Sequence, residues 1–352
     1  MRIKKLIYFF GLSTILLISG CSKQEESKEV NQSEYVVIKT SSLKSEKTQT
    51  IFLDADMNYI GEQEYDYGNV GGCGYNVPFI NDNKMYDISL AYGDDAAPSK
   101  VLEISMKDLI CKSFDFDRTN ITDLVVTDRY VYALSNLNKV TYIDRCPING
   151  NKGDIDTIEI ADETFIYLYN VGDKVFVGKK ESGLNLYQCD FEKKEISSFG
   201  VIEEFGGDEP IFSEEYGKEL ILAGNQQLYF ISIENGDTRV VDIPDGKNEI
   251  KSLYLDADIL YVSRAEFHQQ NEDTVLVKYD LEENKILDTY ALPTSLMQFQ
   301  VKDNNIVVIT EESVLKYSMK AGGEITKVGE YQVQVEGNQY VSSGYFISSE
   351  ER

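Results

Sequence analysis

Histidine is almost absent from this 352-residue chain, which contains one, His268. A His-rich zinc site or an iron site built from two histidines and a carboxylate therefore cannot be assembled. A Ser-His-Asp or Cys-His catalytic set would have to use His268, which lies in a polar loop, where a lone histidine is more often a solvated surface residue. Phosphate-binding Gly-rich motifs are missing as well. We therefore expect no bound metal and no cofactor.

Basic residues are scarce too. The chain has 34 Lys and Arg against 60 Asp and Glu, which gives a net charge of −26. A surface this negative is repelled by phosphate backbones and by anionic lipid headgroups. This charge excludes nucleic acid as an expected partner and also excludes docking on a membrane through a basic patch.

Proline is infrequent, with six residues, and no long segment has helical periodicity, whereas Tyr reaches 24 and Phe 16. This composition suits half-buried strands and indicates an all-β chain.

Residues 1–20 have the anatomy of a secretory signal, with basic residues at 2–5 and an uncharged apolar run at 6–20. The run ends in Leu17-Ile18-Ser19-Gly20-Cys21, which resembles the lipobox of bacterial lipoproteins. The resemblance implies cleavage before Cys21 and a diacylglycerol on its thiol, which would anchor the chain in a lipid membrane. The alternative is one uncleaved transmembrane segment, for which the apolar run is only marginally long.

Residues 21–33 are polar and bury too little apolar surface to fold, so we expect a tether. The predicted location is the cell membrane, lipid-anchored and facing the extracytoplasmic side. Residues 34–352 then form the folded part outside the membrane.

The segment 249–292 predicts four short strands with alternating apolar residues, separated by Asp, Asn and Glu clusters. Four consecutive hairpin-linked strands of this length are typical of one blade of a β-propeller. The second strand of this unit recurs along the chain at intervals of 40 to 46 residues, and its central residues are Tyr86, Tyr132, Phe176, Ile221, Tyr261 and Val307.

These six units leave three N-terminal strands without an inner strand, and a C-terminal strand within 339–348 without a blade. Pairing the tail with the head would close the ring and remove two open edges. The predicted fold is therefore an all-β, seven-bladed propeller with four antiparallel strands per blade and one blade shared between the termini. For blade 5 we expect the innermost strand at 209–212.

The stretch Leu260-Tyr-Val-Ser-Arg264 and the strand that follows it at 274–281 resemble the bacterial Tyr-Val-Thr-Asn repeat propellers. The Pro-Asp-Gly turn usual in that family is replaced by Asp256-Ala-Asp258. Because Trp is absent, the Trp-docking quinone propellers, the Trp-Asp repeats and the sialidase Asp boxes are excluded. The resemblance implies a fold and no particular activity, since propellers host many unrelated functions.

Loops on one face of the predicted propeller are rich in Gly and aromatic residues, which allow close backbone approach and stacking. These loops are the candidate binding face, although simple connectors are the alternative. The residues proposed for this face are Tyr65, Tyr67, Tyr75, Tyr92, Arg264, Phe267 and His268.

Cysteines other than Cys21 number four, which allows three pairings, and an exported location permits disulfides. Cys111 and Cys146 are expected near the same rim, so a bridge between them is possible. The alternative is that Cys73, Cys111, Cys146 and Cys189 are small buried hydrophobic residues.

The leading functional hypothesis is a non-catalytic binding or scaffold module for a protein or cell-envelope partner. One alternative is a propeller enzyme acting on a sugar or lactone through carboxylates or Arg264 in the central channel. Another is a ligand-sensing accessory of a membrane receptor or transporter. A well-formed polar pocket in the channel would favour the enzyme, and a flat Tyr-rich face would favour the binding module.

Overall fold

The computed structural model describes residues 33–43, 46–71, 78–81, 84–90, 98–106, 109–206, 212–243, 249–265 and 274–347. Within these ranges the chain forms seven four-stranded antiparallel sheets, which confirms the predicted β-propeller. The helical content of the described ranges is one turn of 3-10 helix, Lys152–Asp154. No helix in the described part of the chain is long and apolar enough to cross a membrane.

Blade 1 contains, from the centre outward, β28 (Gln339–Phe346), β1 (Tyr35–Ser41), β2 (Thr48–Leu53) and β3 (Tyr59–Tyr65). In blades 2 to 4 the strands run outward in chain order. Blade 2 contains β4 (Phe79–Asn81), β5 (Lys84–Ser89), β6 (Ser99–Ser105) and β7 (Cys111–Arg118). Blade 3 contains β8 (Ile121–Val126), β9 (Tyr130–Leu137), β10 (Val140–Pro147) and β11 (Asp156–Ala161). Blade 4 contains β12 (Tyr167–Val171), β13 (Lys174–Lys180), β14 (Leu184–Asp190) and β15 (Glu195–Ile202).

The remaining three blades follow the same outward order. Blade 5 contains β16 (Ser213–Tyr216), β17 (Glu219–Ala223), β18 (Gln227–Ser232) and β19 (Thr238–Asp242). Blade 6 contains β20 (Glu249–Asp256), β21 (Ile259–Ala265), β22 (Thr274–Asp280) and β23 (Lys285–Leu292). Blade 7 contains β24 (Gln298–Lys302), β25 (Asn305–Ile309), β26 (Ser313–Met319) and β27 (Ile325–Gln332).

The hydrophobic core is divided among the seven interfaces between adjacent blades, each of which holds its own cluster of buried side chains. This arrangement follows from the pleat, because successive side chains of a strand point to opposite faces of its blade and both faces are covered. The six residues that predicted the repeat all lie in the second strand of a blade and are at most 4% exposed: Tyr86, Tyr132, Phe176, Ile221, Tyr261 and Val307.

Ring closure occurs in blade 1, as the sequence predicts. The C-terminal strand β28 pairs antiparallel with β1, so that Phe346 lies opposite Tyr35 and Gln339 opposite Ser41. From blade 7, the Gln298 amide both donates to and accepts from the backbone of Gly344, at 3.0 Å each. The closing strand is therefore held by a backbone ladder on one side and by side-chain hydrogen bonds on the other.

Two predictions need correction. The innermost strand of blade 5 is Ser213–Tyr216, whereas residues 207–211 lie outside the described ranges. A Cys111–Cys146 bridge is absent, since both thiols are free. The reason is the pleat: Cys111 packs against the core between blades 1 and 2, whereas Cys146 belongs to the core between blades 2 and 3. The two side chains thus lie on opposite faces of blade 2.

Gly344 in the closing strand has no room for a side chain. A methyl group there would lie 2.7 Å from Cδ1 of Ile309 and 2.8 Å from the carbonyl oxygen of Val36. We expect Gly344→Ala to lower the free energy of unfolding by about 1–3 kcal/mol, because overpacking forces the closing strand to shift. Gly153→Ala is the control, since apart from its chain neighbours no atom of the described residues lies within 4 Å of its added carbon. Urea denaturation checks this prediction, and equal stability of the two variants would contradict it.

Candidate functional site

A cavity of about 800 Å³ occupies the centre of the ring. It is lined by the innermost strands β4, β8, β12, β16, β20 and β24, together with Asp87 and Ile88 of β5. A volume of this order is typical of small-molecule sites. Because each strand contributes only a few residues, the composition of the cavity is set jointly by six blades.

Two sets of lining residues occupy matching positions in the strands of different blades. One set consists of the residues paired with the six repeat-defining residues: Phe79, Val125, Tyr169, Glu214, Tyr254 and Gln300. The other set lies two residues earlier in its strands or their approaches: Asp123, Tyr167, Phe212, Ser252 and Gln298. Residues of both alternations line the cavity, as in the runs 122–125 and 212–215, because the innermost strands present their free edges to it.

Asp123 joins two blades at the edge of the cavity. One of its carboxylate oxygens accepts the backbone N–H of Leu124 at 2.8 Å, and the other accepts that of Leu168 in blade 4 at 2.7 Å. Burial raises the pKa of Asp123 to about 7, and these two hydrogen bonds partly offset that rise. Both oxygens are thus engaged in holding blade 3 against blade 4.

Glu214 is the acidic member of the ring of paired residues. Burial raises the pKa of its carboxyl group to about 7, and the backbone N–H of Leu255 in blade 6 partly offsets this effect. Burial, together with the charges of Asp256 and Glu214, raises the pKa of the neighbouring Tyr254 to about 12. Glu214 is half-buried, with its exposed part on the cavity.

Asp87 is buried more deeply, at 1% exposure. One carboxylate oxygen accepts the backbone N–H of Ile88 at 2.7 Å, and the other has no hydrogen-bond partner among the described residues. Burial raises the pKa of Asp87 to about 7, with the Ile88 amide opposing the rise. A buried carboxyl group with one unsatisfied oxygen is costly to ionise.

Aromatic rings form much of the remaining wall. Tyr167 and Tyr169 stack with ring centroids 6.1 Å apart, and Tyr254 and Phe299 are 6.3 Å apart. Tyr169 is 2% exposed, and its hydroxyl has no hydrogen-bond partner in the described ranges. Burial, followed by the nearby charge of Asp123, raises the pKa of Tyr169 well above its usual value.

No Lys, Arg or His is among the described residues that line the cavity. A phosphorylated substrate needs such groups, because phosphate is recognised by cationic side chains and by clusters of N–H donors. The amide of Gln298 is occupied by Gly344, and that of Gln300 accepts the backbone N–H of Phe346 at 2.7 Å. The electrostatic character of the cavity is therefore set by its carboxyl groups.

The residues predicted for a binding face fall in different environments. Tyr65 is 7% exposed, and its hydroxyl donates to the carbonyl of Leu109 at 3.1 Å, so it is a core residue between blades 1 and 2. Tyr67 is half-buried beneath the ammonium group of Lys100, 6.0 Å from the ring centroid.

Arg264 is fully buried, and its guanidinium donates to the carbonyl of Ile243 at 2.8 Å, which ties blade 6 to the end of blade 5. It is therefore neither on an exposed face nor among the residues that line the central cavity. The other predicted site residues lie outside the described ranges: Cys21, Tyr75, Tyr92, Phe267 and His268.

Replacing Asp87 by Asn removes a carboxyl group that resists ionisation. Between about pH 4, the unfolded pKa, and about pH 7, the folded protein retains a proton that the unfolded chain releases, so stability is lost as pH rises through this window. We expect Asp87→Asn to gain stability relative to wild type across this window, by about 1.4 kcal/mol per pH unit.

Urea denaturation at pH 4.5, 6 and 7.5 measures this gain. Asp66→Asn is the control, because the Asp66 side chain is 92% exposed and its replacement should give a small effect that varies little with pH. A stability difference between Asp87→Asn and wild type that stays constant with pH would contradict the burial of this charge.

Comparisons with known proteins establish the fold alone. No protein-family model and no curated protein matches the chain. Among solved structures, it is similar to a Bacteroides uniformis protein named provisionally as a 6-phosphogluconolactonase, with a TM-score of 0.57 and 11% identity over 90% of this chain and 100% of that one. A Bacteroides fragilis protein with the same provisional name has a TM-score of 0.58 and 12% identity over 91% of this chain and 99% of that one.

Kluyveromyces lactis Hsv2 is also similar, with a TM-score of 0.52 and 9% identity over 85% of this chain and 100% of that one. Proteins with such different names share this fold, so the likeness shows the fold and no particular function. The Tyr-Val-Thr-Asn repeat type stays a prediction.

Proposed function

We propose that the protein is a membrane-anchored extracytoplasmic lipoprotein whose propeller is a non-catalytic binding module. Its small-molecule site is the central cavity, and its outer surface remains available to a protein or cell-envelope partner. The observation that carries this proposal is the cavity itself, to which six blades contribute polar and aromatic side chains. Convergence of this kind is what a site for one small ligand requires.

The carboxyl groups favour binding over hydrolysis. A glycosidase-type reaction needs two carboxyl groups that flank the scissile bond. Both oxygens of Asp123 are engaged by backbone amides, and the unpartnered oxygen of Asp87 is buried within the wall. Both oxygens of Glu215 accept the backbone N–H of Gly172 at 3.0 Å. Within the described ranges, Glu214 accepts only one backbone N–H, from Leu255, and is therefore the carboxyl group best placed to meet a ligand.

The position of the chain ends is compatible with an anchor. Tyr35, at the start of β1, pairs with Phe346, at the end of β28, so both ends of the described chain lie on the same rim. A tether over residues 21–33 would reach the propeller at this rim. The opposite rim of the cavity would then face away from the membrane.

A hydrolase of an uncharged sugar or lactone is the second candidate. The cavity is a polar pocket in the central channel, which is the feature expected of an enzyme. Two proteins of similar fold also carry provisional lactonase names. A carboxyl group with a pKa near 7, as for Glu214, suits general acid catalysis. The absence of basic residues from the described lining argues against a phosphorylated substrate. Turnover of an uncharged lactone by wild type, lost in Glu214→Gln, would establish the hydrolase in place of the binding module.

Cys21→Ala tests the membrane anchor. In a bacterial host fed an alkyne-labelled fatty acid, we expect wild type to carry the label and partition with detergent, because the Cys21 thiol accepts the lipid. The alanine variant should remain unlabelled. Ser19→Ala keeps a small residue before the cut and should remain labelled. Labelling of Cys21→Ala, or an unlabelled wild type, would contradict the lipoprotein assignment.

Ser213→Trp tests the binding site. Ser213 lines the cavity and is exposed to it, so an indole at this position should fill part of the space. In a screen of sugars, lactones, amino acids and amines, we expect at least one compound to raise the melting temperature of wild type by a few degrees. The shift should vanish in Ser213→Trp and persist in Ser197→Trp, which alters an exposed position on the outermost strand of blade 4. A shift that survives in Ser213→Trp would place the site elsewhere.

A further inference from the structure

We propose that the central cavity selects a small organic cation, such as a primary amine or a quaternary ammonium compound. This inference rests on the proposed function, since it specifies the chemistry of the ligand that the propeller binds. It follows from the combination of acidic groups, aromatic walls and unsatisfied buried oxygen atoms in one cavity.

The charge of the described lining has one sign. Asp87, Asp123, Glu214 and Glu215 line the cavity, and none of the described lining residues is basic. Anions and phosphorylated compounds are repelled by such a lining. A cation is attracted to it, and the attraction is stronger there than in water because the walls exclude part of the solvent.

Aromatic rings flank the acidic groups. Glu214 and Tyr254 line the cavity together, as do Asp123 and Tyr169, and each carboxyl group interacts electrostatically with its tyrosine. The faces of Tyr rings attract cations through the ring quadrupole. A carboxylate beside an aromatic ring is therefore suited to an ammonium group that carries alkyl substituents.

The wall also contains polar atoms without partners. Tyr169 is 2% exposed with an unpartnered hydroxyl, and Asp87 is 1% exposed with one unpartnered carboxylate oxygen, in both cases among the described residues. Buried polar groups are normally satisfied, so each such group needs an explanation. Both residues line the cavity, so a cation bound there would lie close to these unsatisfied groups and would offset their electrostatic cost.

A metal ion fits the cavity less well than an organic cation. Within the described ranges, no group of three or more His, Cys, Asp or Glu side chains is arranged to hold a metal. The acidic groups are also distributed over blades 2, 3 and 5. Divalent ions need several oxygen atoms within about 2.5 Å, whereas an organic cation can contact side chains from opposite walls.

Binding should depend on pH in a defined direction. The titratable groups on the cavity are Asp87 of β5, Asp123 of β8, Tyr167 and Tyr169 of β12, Glu214 and Glu215 of β16, and Tyr254 of β20, with Asp256 beside Tyr254. The strand β24 contributes the uncharged Gln298, Phe299 and Gln300. Three of the carboxyl groups have a pKa of about 7, so a cation is bound best above pH 7 and is released as they are protonated.

The test uses the purified full-length chain and two quaternary cations, choline and benzyltrimethylammonium, which stay charged at all pH values. The uncharged probe is 3,3-dimethyl-1-butanol, an isostere of choline, and gluconolactone represents neutral polar ligands. Binding is measured by calorimetry and by melting temperature. We expect a quaternary cation to bind at pH 8.5, the isostere to bind at least tenfold more weakly, and the affinity for the cation to fall more than tenfold by pH 5.5.

Two variants assign the effect to the cavity. Glu214→Gln keeps the shape of the side chain and should weaken cation binding at least tenfold at pH 8.5. Glu159→Gln removes the same charge from an exposed position on the outermost strand of blade 3 and should leave binding unchanged. Tyr169→Phe provides a second cavity variant should Glu214→Gln melt at a much lower temperature than wild type.

The outcomes separate this inference from the proposed function. Equal binding of choline and its isostere, or binding of gluconolactone alone, would overturn the cation preference and leave a small-molecule site in place. Cation binding unaffected by both Glu214→Gln and Tyr169→Phe would overturn the assignment to this cavity. No binding by any compound of either class would overturn the cation inference, and a fruitless wider screen would then overturn the proposed function too.

Discussion

The pairing of β28 with β1 is the contact on which the rest of the structure depends. It joins the two ends of a chain whose blades otherwise touch only their neighbours. It pairs the inner edge of β1, and it brings blades 1 and 7 together over a shared apolar cluster. Gln298 donates to the carbonyl of Gly344 and Gln300 accepts the N–H of Phe346, which extends this contact across the interface between blades 7 and 1. The central cavity exists because this closure brings the innermost strands together around one axis.

The buried carboxyl groups of the cavity lower the stability of the fold, and the apolar interfaces between the blades offset this loss. Seven separate apolar clusters stabilise the ring. At its centre the chain keeps Asp87, Asp123 and Glu214 in surroundings that raise their pKa to about 7. Asp123 also has a structural role, since it holds blade 3 to blade 4, but Asp87 retains an unsatisfied oxygen in the described structure. Groups that oppose folding in this way are concentrated at functional sites.

Much of the fold could be predicted from the sequence, because alternation within a strand and spacing between blades are local signals. The polar lining could not be predicted in this way. Glu214 lies in a short strand without apolar alternation, and in sequence such a segment resembles a turn. The strand register is the feature that could have identified Glu214 as a lining residue, because Glu214 pairs with Ile221 in the same way as Tyr254 pairs with Tyr261. The burial of Arg264 escaped prediction because it depends on a distant carbonyl group.

A ¹³C NMR titration of the side-chain carboxyl groups, with Asp87, Asp123 and Glu214 assigned from their amide variants, tests whether the centre of the ring is a closed acidic site. We predict that these three carboxyl groups titrate near pH 7, far above the value of about 4 for solvated carboxyl groups. Titration of all three near pH 4 would contradict this prediction, because the centre of the ring would then be open to water and without a closed acidic site.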